Sequence, residues 1–317
     1  MKFKDIYNLA IELGMEADPR GREGAEKALA AARKNYEKLD DKEKAFFDID
    51  SLTNPYADSR ILNGDEEDEV AKMIVGIDIE PAELLLTEAL NQRGAGIDLV
   101  MSHHPEGRAL AALDEVMWLQ PGAWANAGVL RNVAEDLLEG RAKEVEISVG
   151  GGNYNRTVDA AAALGLKMLC LHTPCDNLVN RYLTELMAAK APEDLSQVID
   201  LLLEIPEYAT AAKRNNAPLI VAGSPSRSAG KIFVDMTGGT GGPKEYYRLL
   251  VEAGISTVIC MHAGKETIAE AKDCHLNVII AGHMASDSLG INLFLDEVEA
   301  RGVEVVPISG LIRVKRK

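Results

Sequence analysis

The pattern of hydrophobic and polar positions divides the chain into two parts of different character. In residues 1–60, apolar residues recur at helical spacing, first over 6–13 and again over 25–39, and a turn follows at Asn54-Pro55. We therefore predict a helical N-terminal extension over residues 1–60, with its charged faces in solvent.

From residue 70 onward, short apolar runs alternate with segments of helical periodicity. The predicted strands span residues 71–79, 97–101, 145–149, 167–171, 218–222, 231–235, 257–261, 277–281 and 303–307. The predicted helices span residues 81–93, 123–138, 157–164, 243–252, 265–272 and 286–299. This alternation predicts an α/β fold with a largely parallel or mixed sheet. Because no linker separates the two halves, we expect residues 61–317 to form one composite domain.

Composition and charge restrict the class of protein. With 47% hydrophobic residues, the 317-residue chain is typical of a globular fold. Its formal charge of −16 repels phosphate backbones and argues against general nucleic-acid binding. We find no apolar stretch of signal-peptide or membrane-spanning length and no Cys-x-x-Cys pair. We therefore expect a cytoplasmic protein with reduced thiols and no membrane partner.

The six histidines of the chain include an adjacent pair, His103 and His104, which follows the strand predicted at 97–101 and precedes Pro105. Adjacent residues on a strand point to opposite faces. If both rings reach one site, the chain must leave strand geometry, which Pro105 favours. Alternatively each ring serves a different metal of a pair, or one histidine is buried and hydrogen-bonded beside an exposed neighbour.

Two further histidines each precede an aspartate by four residues at the end of a predicted strand. His283 and Asp287 share one helix face if the helix begins near His283, with Ser286 as a candidate cap. Otherwise Asp287 is a carboxylate stabilised by the helix dipole. For His172 and Asp176, we favour Asp176 as a ligand and His172 as its orienting partner or a substrate contact. Asp176 is alternatively a helix cap.

Imidazole and carboxylate groups at strand ends predict a metal site, because open α/β sheets bind ligands there. These ligand types suit zinc, iron, manganese, cobalt or nickel. Cys175 is a soft ligand, a reactive thiol or, as we favour, a small buried residue. The glycine-rich segment 237–244 is an anion site or, as we favour, a plain turn. His262 follows a strand without a nearby carboxylate, so we predict that it lies at the cleft wall and is not a ligand.

These residues together resemble the Nif-three-like proteins (interacting factor three-like, also labelled GTP cyclohydrolase I type 2 homologues). The matching pieces are Met73-Ile74-Val75-Gly76-Ile77-Asp78, Leu99-Val100-Met101-Ser102-His103-His104-Pro105, His172-Thr173-Pro174-Cys175-Asp176 and Ala281-Gly282-His283-Met284-Ala285-Ser286-Asp287. Their order and approximate spacing agree over about residues 61–310. The family usually has a glutamate where this chain has Asp287, and a glycine-rich stretch where it has Asn177-Leu178-Val179-Asn180.

The resemblance implies a dinuclear divalent-metal site in an α/β fold of two similar lobes with mixed sheets, here at about 61–205 and 206–317. The family is often a hexamer, so the resemblance also implies a homo-oligomer. It gives metal-ligand roles to five side chains, namely His103, His104, Asp176, His283 and Asp287.

These expectations favour a metal-dependent hydrolase in which two metal ions activate a bridging water. His172 and His262 are then candidate catalytic residues for proton transfer. The substrate is a small molecule, and an anionic one is compatible with the charge of the metals. Opening of the GTP ring is a special case that the family label alone suggests. The alternative is a non-enzymatic metal-binding or regulatory assembly that uses the same ligands.

Overall fold

Two β-sheets of the same design form the framework of the protein. The computed structural model describes residues 1–316. Within them the strands are β1 (Arg60–Asn63), β2 (Lys72–Gly76), β3 (Leu99–Ser102), β4 (Lys167–Cys170), β5 (Leu219–Ala222), β6 (Ile232–Asp235), β7 (Thr257–Cys260), β8 (Asn277–Ile280) and β9 (Glu304–Pro307). The first sheet has the order β1-β4-β3-β2-β9 and the second β5-β8-β7-β6. In each, one edge strand (β1 or β5) is antiparallel and the other pairings are parallel. The predicted α/β fold with two mixed sheets is therefore confirmed.

The helices account for most of the remaining chain. They are α1 (Phe3–Glu16), α2 (Arg22–Tyr36), α3 (Asp41–Lys44), α4 (Pro81–Gln92), α5 (Gly107–Ala111), α6 (Leu113–Val116), α7 (Gln120–Ala127), α8 (Arg131–Gly150), α9 (Arg156–Leu164), α10 (Thr173–Lys190), α11 (Leu195–Leu203), α12 (Pro206–Lys213), α13 (Tyr246–Glu252), α14 (Lys265–Asp273) and α15 (His283–Glu299). Short 3₁₀ helices span Ile49–Leu52 and Met117–Leu119. Among residues 1–316 no helix combines the length and apolar character that crossing a bilayer requires.

Helices α10 and α15 lie between the two sheets and contribute to the cores on both sides. Leu178 of α10 and Phe294 of α15 belong to the core that covers one face of the first sheet. Leu183 of α10 and Leu289 of α15 belong to the core that covers one face of the second. Because the first turns of both helices follow strand ends, β4 for α10 and β8 for α15, side chains in those turns are brought together between the sheets.

The contact between α10 and α15 depends on a glycine. A Cβ atom at Gly290 would overlap the carbonyl oxygen of Cys175 and would lie 2.9 Å from its carbonyl carbon. Only glycine permits this approach of the two backbones. Since Gly290 is three residues after Asp287 and Cys175 directly precedes Asp176, this close contact fixes the separation of two predicted ligands.

The predicted helices of the first 60 residues are present, but they are more deeply packed than expected. The apolar face of α1 is buried, with Phe3 and Ile6 fully inaccessible to solvent, whereas α2 and α3 are largely exposed. A Cβ atom at Gly14 would lie 2.8 Å from Pro174, so α1 packs directly on the first turn of α10. Helix α1 is therefore part of the core around the strand ends.

Three details of the sequence prediction are wrong. The strand predicted at 145–149 is the end of α8, because Ala134, Leu138, Ala142 and Val145 are buried at helical spacing along one face. The helix predicted at 123–138 is broken after Ala127, where Gly128 has φ of +116°. The last long helix begins at His283 and not at Ser286.

Candidate metal centre

Three imidazole rings meet beyond the ends of β3 and β4. The ring centroids of His103 and His172 are 4.9 Å apart, and those of His103 and His104 are 5.4 Å apart. The backbone N–H groups of both His103 and His104 donate to Ile77 O, so the chain turns out of strand geometry there. This departure lets two adjacent side chains approach one site, as one of the sequence alternatives requires.

Each of these rings has its Nδ1 atom occupied by an acceptor. His103 Nδ1 pairs with Leu171 O at 2.9 Å, His104 Nδ1 with Asp78 Oδ1 at 2.6 Å, and His172 Nδ1 with Asp58 Oδ2 at 2.8 Å. A ring that donates its Nδ1 proton leaves the Nε2 lone pair free. Such partners are typical of metal-binding histidines, because they fix the tautomer and orientation of the ring.

Asp58 comes from the N-terminal segment and is fully buried behind His172. Its Oδ2 atom also accepts a hydrogen bond of 2.6 Å from Thr173 Oγ1, and Ser59 Oγ accepts one of 2.9 Å from the His172 backbone. Burial acts to raise the pKa of Asp58, but the hydrogen bonds and charge of His172 lower it. The carboxylate therefore stays ionised and holds the imidazole in place.

Asp176 and Asp287 place their carboxylates against the Nε2 atoms. His103 Nε2 lies 3.4 Å from Asp176 Oδ1 and 3.7 Å from Asp287 Oδ1. The other oxygen, Asp287 Oδ2, lies 3.6 Å from Nε2 of both His104 and His283. These separations are too long for good hydrogen bonds. They fit ligand atoms around a shared cation, because tetrahedral ligands about 2.1 Å from a metal are roughly 3.4 Å apart.

The same atoms are buried without hydrogen-bond partners. Among the described residues, His103 Nε2, Asp176 Oδ1 and both carboxylate oxygens of Asp287 are in this state. Unpaired buried polar atoms are costly and rare, so their concentration at one point indicates a missing binding partner. Three overlapping ligand groups, each with its atoms within 4.8 Å of one another, are His103/His104/His172, His104/His283/Asp287 and His103/Asp176/Asp287.

The charges of the centre favour a cation in its middle. Burial acts to lower the pKa of His103, but Asp176 and Asp287 outweigh burial and raise this pKa well above its ordinary value. Burial acts to raise the pKa of Asp287, and His103 lowers it. Without a metal ion, a proton on His103 therefore compensates the two buried carboxylates.

The helix starts settle two alternatives that the sequence leaves open. Helix α10 begins at Thr173 with His172 as its N-cap, so Asp176 is in the first turn and is not the cap. Ser286 donates to Gly282 O within the first turn of α15 and does not cap that helix. Both aspartates are therefore free to face the centre.

Cys175 behaves as a small buried residue. Its side chain is inaccessible to solvent, and burial raises the pKa of the thiol. Within the described part of the chain, its sulfur is not in any of the three ligand groups. A protonated, enclosed thiol is unreactive, which agrees with the interpretation that we favoured from the sequence.

His262 lies at the wall of a cleft that opens beside the centre. Its ring centroid is 5.0 Å from that of His283, and both rings line the cleft. Burial, together with the nearby His283, lowers the pKa of His262. Its imidazole is therefore neutral at physiological pH and can accept a proton.

The glycine-rich segment forms another wall of this cleft. Gly238 and Gly239 have φ of +102° and +81°, and a Cβ atom at either would lie 2.6 Å from a side-chain atom of Gln120 or Val116. Its glycines thus serve a tightly packed turn, which is the interpretation that we favoured.

Asp235 ends β6 in the same cleft and receives a hydrogen bond from Tyr246. Burial raises its pKa to about 6, and the Tyr246 hydrogen bond offsets this only in part. Since this pKa exceeds the ordinary value of 3.8, ionisation favours the unfolded chain. Stability is therefore lost as the pH rises from about 4 to about 6, by about 3 kcal/mol.

Asp235→Asn is accordingly expected to gain stability relative to the unsubstituted protein as the pH rises. Urea denaturation of the metal-free proteins at about pH 4 and about pH 8 measures this, and the difference between the two proteins should change by about 3 kcal/mol in favour of Asp235→Asn. A difference that is the same at both pH values would contradict the assignment.

Comparison with known proteins identifies the family. No family model and no curated protein matches the sequence. A solved structure described as a NIF3 superfamily protein from Sphaerobacter thermophilus is 31% identical, has a TM-score of 0.72, and is matched over 80% of this chain and 92% of that one. The chain belongs to the NIF3 superfamily. The predicted membership is thus confirmed.

Two other solved structures are more distant from this NIF3 superfamily member. Reduced HcgD from Methanocaldococcus jannaschii is 15% identical with a TM-score of 0.47, covering 78% of this chain and 87% of that one. The protein TTHA1606 from Thermus thermophilus is 16% identical with a TM-score of 0.44, covering 82% of this chain and 89% of that one. Similarity at this level carries no argument about function.

The structure brings all seven predicted site residues of this NIF3 superfamily member to one place. The five predicted ligands face one another, His172 joins one ligand group, and His262 lies beside them. Metal binding by these side chains and the catalytic roles of His172 and His262 stay predictions.

Sequence reasoning missed the three carboxylates Asp58, Asp78 and Asp235. Asp78 follows strand β2, and Asp235 is the last residue of strand β6. Because ligand sites lie at such strand ends, these positions could have pointed to both residues. Asp58 lies in an irregular segment before an unpredicted strand and gave no such signal.

Proposed function

We propose that this NIF3 superfamily protein is a hydrolase that depends on two divalent metal ions and acts on a small molecule. The observation that carries the proposal is the orientation of Asp287. Its Oδ1 atom faces His103 and its Oδ2 atom faces His104 and His283, and neither oxygen has a hydrogen-bond partner. A carboxylate in this position suits a bridge between two cations, although it is one methylene shorter than the glutamate usual in the family.

The ligand sets follow from these contacts. We assign one ion to His103, Asp176 and Asp287, with His172 as a further ligand, because His172 Nε2 lies 3.7 Å from Asp176 Oδ2. We assign the other ion to His104, His283 and Asp287. The imidazole and carboxylate donors suit zinc, iron, manganese, cobalt or nickel. When bound, two such cations lower the pKa of water and neutralise charge that develops on the reacting oxygens.

The side chains around the centre supply orientation and proton transfer. Asp58, Asp78 and the carbonyl of Leu171 hold three imidazoles with Nε2 inward. The Nδ1 atom of His172 is hydrogen-bonded to Asp58, and its Nε2 atom is the one that we assign to a metal ion. We therefore propose His262, neutral and open to the cleft, as the group that accepts or donates the proton.

His262→Ala is expected to lower kcat by about a hundredfold while the metal content stays unchanged, because general acid–base groups contribute about that factor. Steady-state kinetics and elemental analysis of the same preparations measure the two quantities. Loss of metal together with activity would instead place His262 among the ligands.

The proposed function is tested by elemental analysis of the purified protein and by turnover assays. Metal-loaded protein is incubated with phosphoesters, GTP and cyclic amides, and His103→Ala is compared with the unsubstituted chain. Two metal ions per chain and a turnover that His103→Ala abolishes without unfolding would support a hydrolase. Retained metal without turnover would favour a metal-binding or regulatory assembly.

For the oligomeric state of the protein, the family resemblance is our only guide. We propose a homo-oligomer, and a hexamer as the state that the family often adopts. Large exposed side chains such as Phe46, Leu130 and Ile147 are candidates for its contacts. Light scattering of the purified protein gives the number of chains.

A further inference from the structure

The cleft beside the metal centre is bounded by both halves of the protein. Its cavity volume is about 70 Å³, which is enough space for a small polar group. Asp176 and His283 of the centre line one side, and Asp235 and His262 from the ends of β6 and β7 line another. A small molecule in this cleft would therefore lie near Asp235 and the proposed metal ligands together.

The carboxylate of Asp235 is held in position with one oxygen available. Tyr246 donates a hydrogen bond to its Oδ2 atom, and its Oδ1 atom has no protein partner among the described residues. The Tyr246 ring is stacked on Trp124, with centroids 4.9 Å apart and an interplanar angle of 18°. The acceptor is thus fixed by buried aromatic packing and does not depend on a mobile loop.

The glycine-rich segment that lines the cleft is also held by buried side chains. Gln120 Nε2 donates to Gly238 O at 2.7 Å and to Thr240 O at 2.6 Å. Thr237 Oγ1 donates to Asn177 Oδ1 at 2.7 Å. The backbone from 237 to 240 is therefore tied to α7 and α10, which is the rigidity that a recognition site requires.

The charge of the cleft disfavours the binding of anionic groups at positions that are distant from the proposed metal ions. Its lining includes no lysine or arginine from residues 1–316. An anionic group beside Asp235 would meet a like charge without a compensating cation. A group that carries N–H donors would instead gain a charge-assisted hydrogen bond.

We propose that Asp235 binds an N–H donor group of the substrate, of the amidine, amide or amine class, while the metal centre holds the group that reacts. Binding by Asp235 does not depend on the proposed hydrolase function. Only the statement that the metal centre holds the reacting group rests on it. The cost of keeping Asp235 ionised in the folded protein agrees with it, because groups that destabilise the fold at neutral pH concentrate at binding sites. The formal charge of −16 also favours cationic over anionic ligands.

Benzamidine and benzoate form a matched pair of probes, because they share a ring and differ in the polar group. Titration calorimetry of Zn²⁺-loaded protein with each probe gives the affinities for the unsubstituted chain and for Asp235→Asn. We expect Asp235→Asn to weaken benzamidine binding by roughly tenfold to a hundredfold. Benzoate, which we expect to bind through the metal ions, should keep its affinity or gain from the loss of the like charge.

Asp136→Asn is the matched control, since Asp136 lies on α8 outside the cleft and the substitution changes the net charge equally. It should leave the affinity for both probes unchanged. Equal benzamidine affinity in Asp235→Asn and the unsubstituted chain, or a parallel loss of benzoate binding, would overturn the inference.

Repeating the titration on metal-free protein separates this inference from the proposed function. Benzamidine binding that depends on Asp235 without any metal binding or turnover would leave the recognition role intact and remove the hydrolase. Metal binding with turnover, but with benzamidine binding independent of Asp235, would remove the recognition role alone.

Discussion

Gly290→Ala is expected to destabilise the protein by about 3 kcal/mol and to weaken metal binding at the same time. The added Cβ atom would overlap the backbone of Cys175, and a backbone cannot move aside as a flexible side chain can. Helices α10 and α15 must therefore separate. Because Asp176 and Asp287 are near the starts of these helices, the separation also moves the two carboxylates apart.

Gly140→Ala is the matched control for this substitution. Gly140 lies within α8, and a Cβ atom there would meet no atom within 4 Å. Alanine should therefore stabilise α8 by roughly 0.5–1 kcal/mol through its higher helix propensity. Thermal unfolding and zinc titration of both variants make the comparison. Equal behaviour of the two variants would show that the helix contact does not set the geometry of the centre.

Metal loading is expected to raise the melting temperature by roughly 10 °C. A ligand at about 1,000 times its dissociation constant stabilises the folded state by about 4 kcal/mol. The physical source is the cluster of buried unpaired atoms on His103, Asp176 and Asp287, which gain partners when a cation binds. Differential scanning calorimetry before and after chelation measures the shift.

Asp287→Asn should remove most of this metal-induced shift. The amide keeps the shape of the side chain but loses its charge and one acceptor oxygen, so it cannot bridge two cations. Asp136→Asn, on α8 and away from the centre, should retain the full shift. A normal shift in Asp287→Asn would exclude the bridging role proposed for this carboxylate.

The apparent metal affinity is expected to rise with pH. Although burial opposes it, Asp176 and Asp287 raise the pKa of His103 well above the ordinary value of 6.5. Protonated His103 therefore stabilises the metal-free fold below about pH 6.5, and this contribution is lost as the pH rises through the raised pKa. A cation must displace that proton. Zinc titrations in two buffers of different ionisation enthalpy count the released protons, and a count of zero would contradict this account.

The sequence predicted the ligand-bearing edge of the fold better than its periphery. Strands β3, β4, β7 and β8 are continuous apolar runs, because they are buried on both faces, and such runs are easily recognised. Since parallel strands end at the same edge, residues that follow them could be placed together without knowing the packing. His103, His172 and His283 were found in this way.

The other features of the fold and of the site depend on tertiary packing, which no local sequence pattern encodes. Residues 145–149 have a strand-like composition, yet the helical face that begins at Ala134 continues through Val145 and is buried. The role of Asp58 depends on how α1 and the following loop fold over α10. Asp235 becomes important only because Tyr246, itself stacked on Trp124, holds its carboxylate, and because the glycine-rich turn lines the same cleft.

The buried packing of α1 and the hydrogen bond from His172 to Asp58 connect the first sixty residues to a centre whose proposed ligands all lie elsewhere. A protein shortened to start at residue 61 would retain every proposed donor to the metals but not the carboxylate that dictates which nitrogen of His172 carries hydrogen. It would also uncover Pro174, against which Gly14 packs.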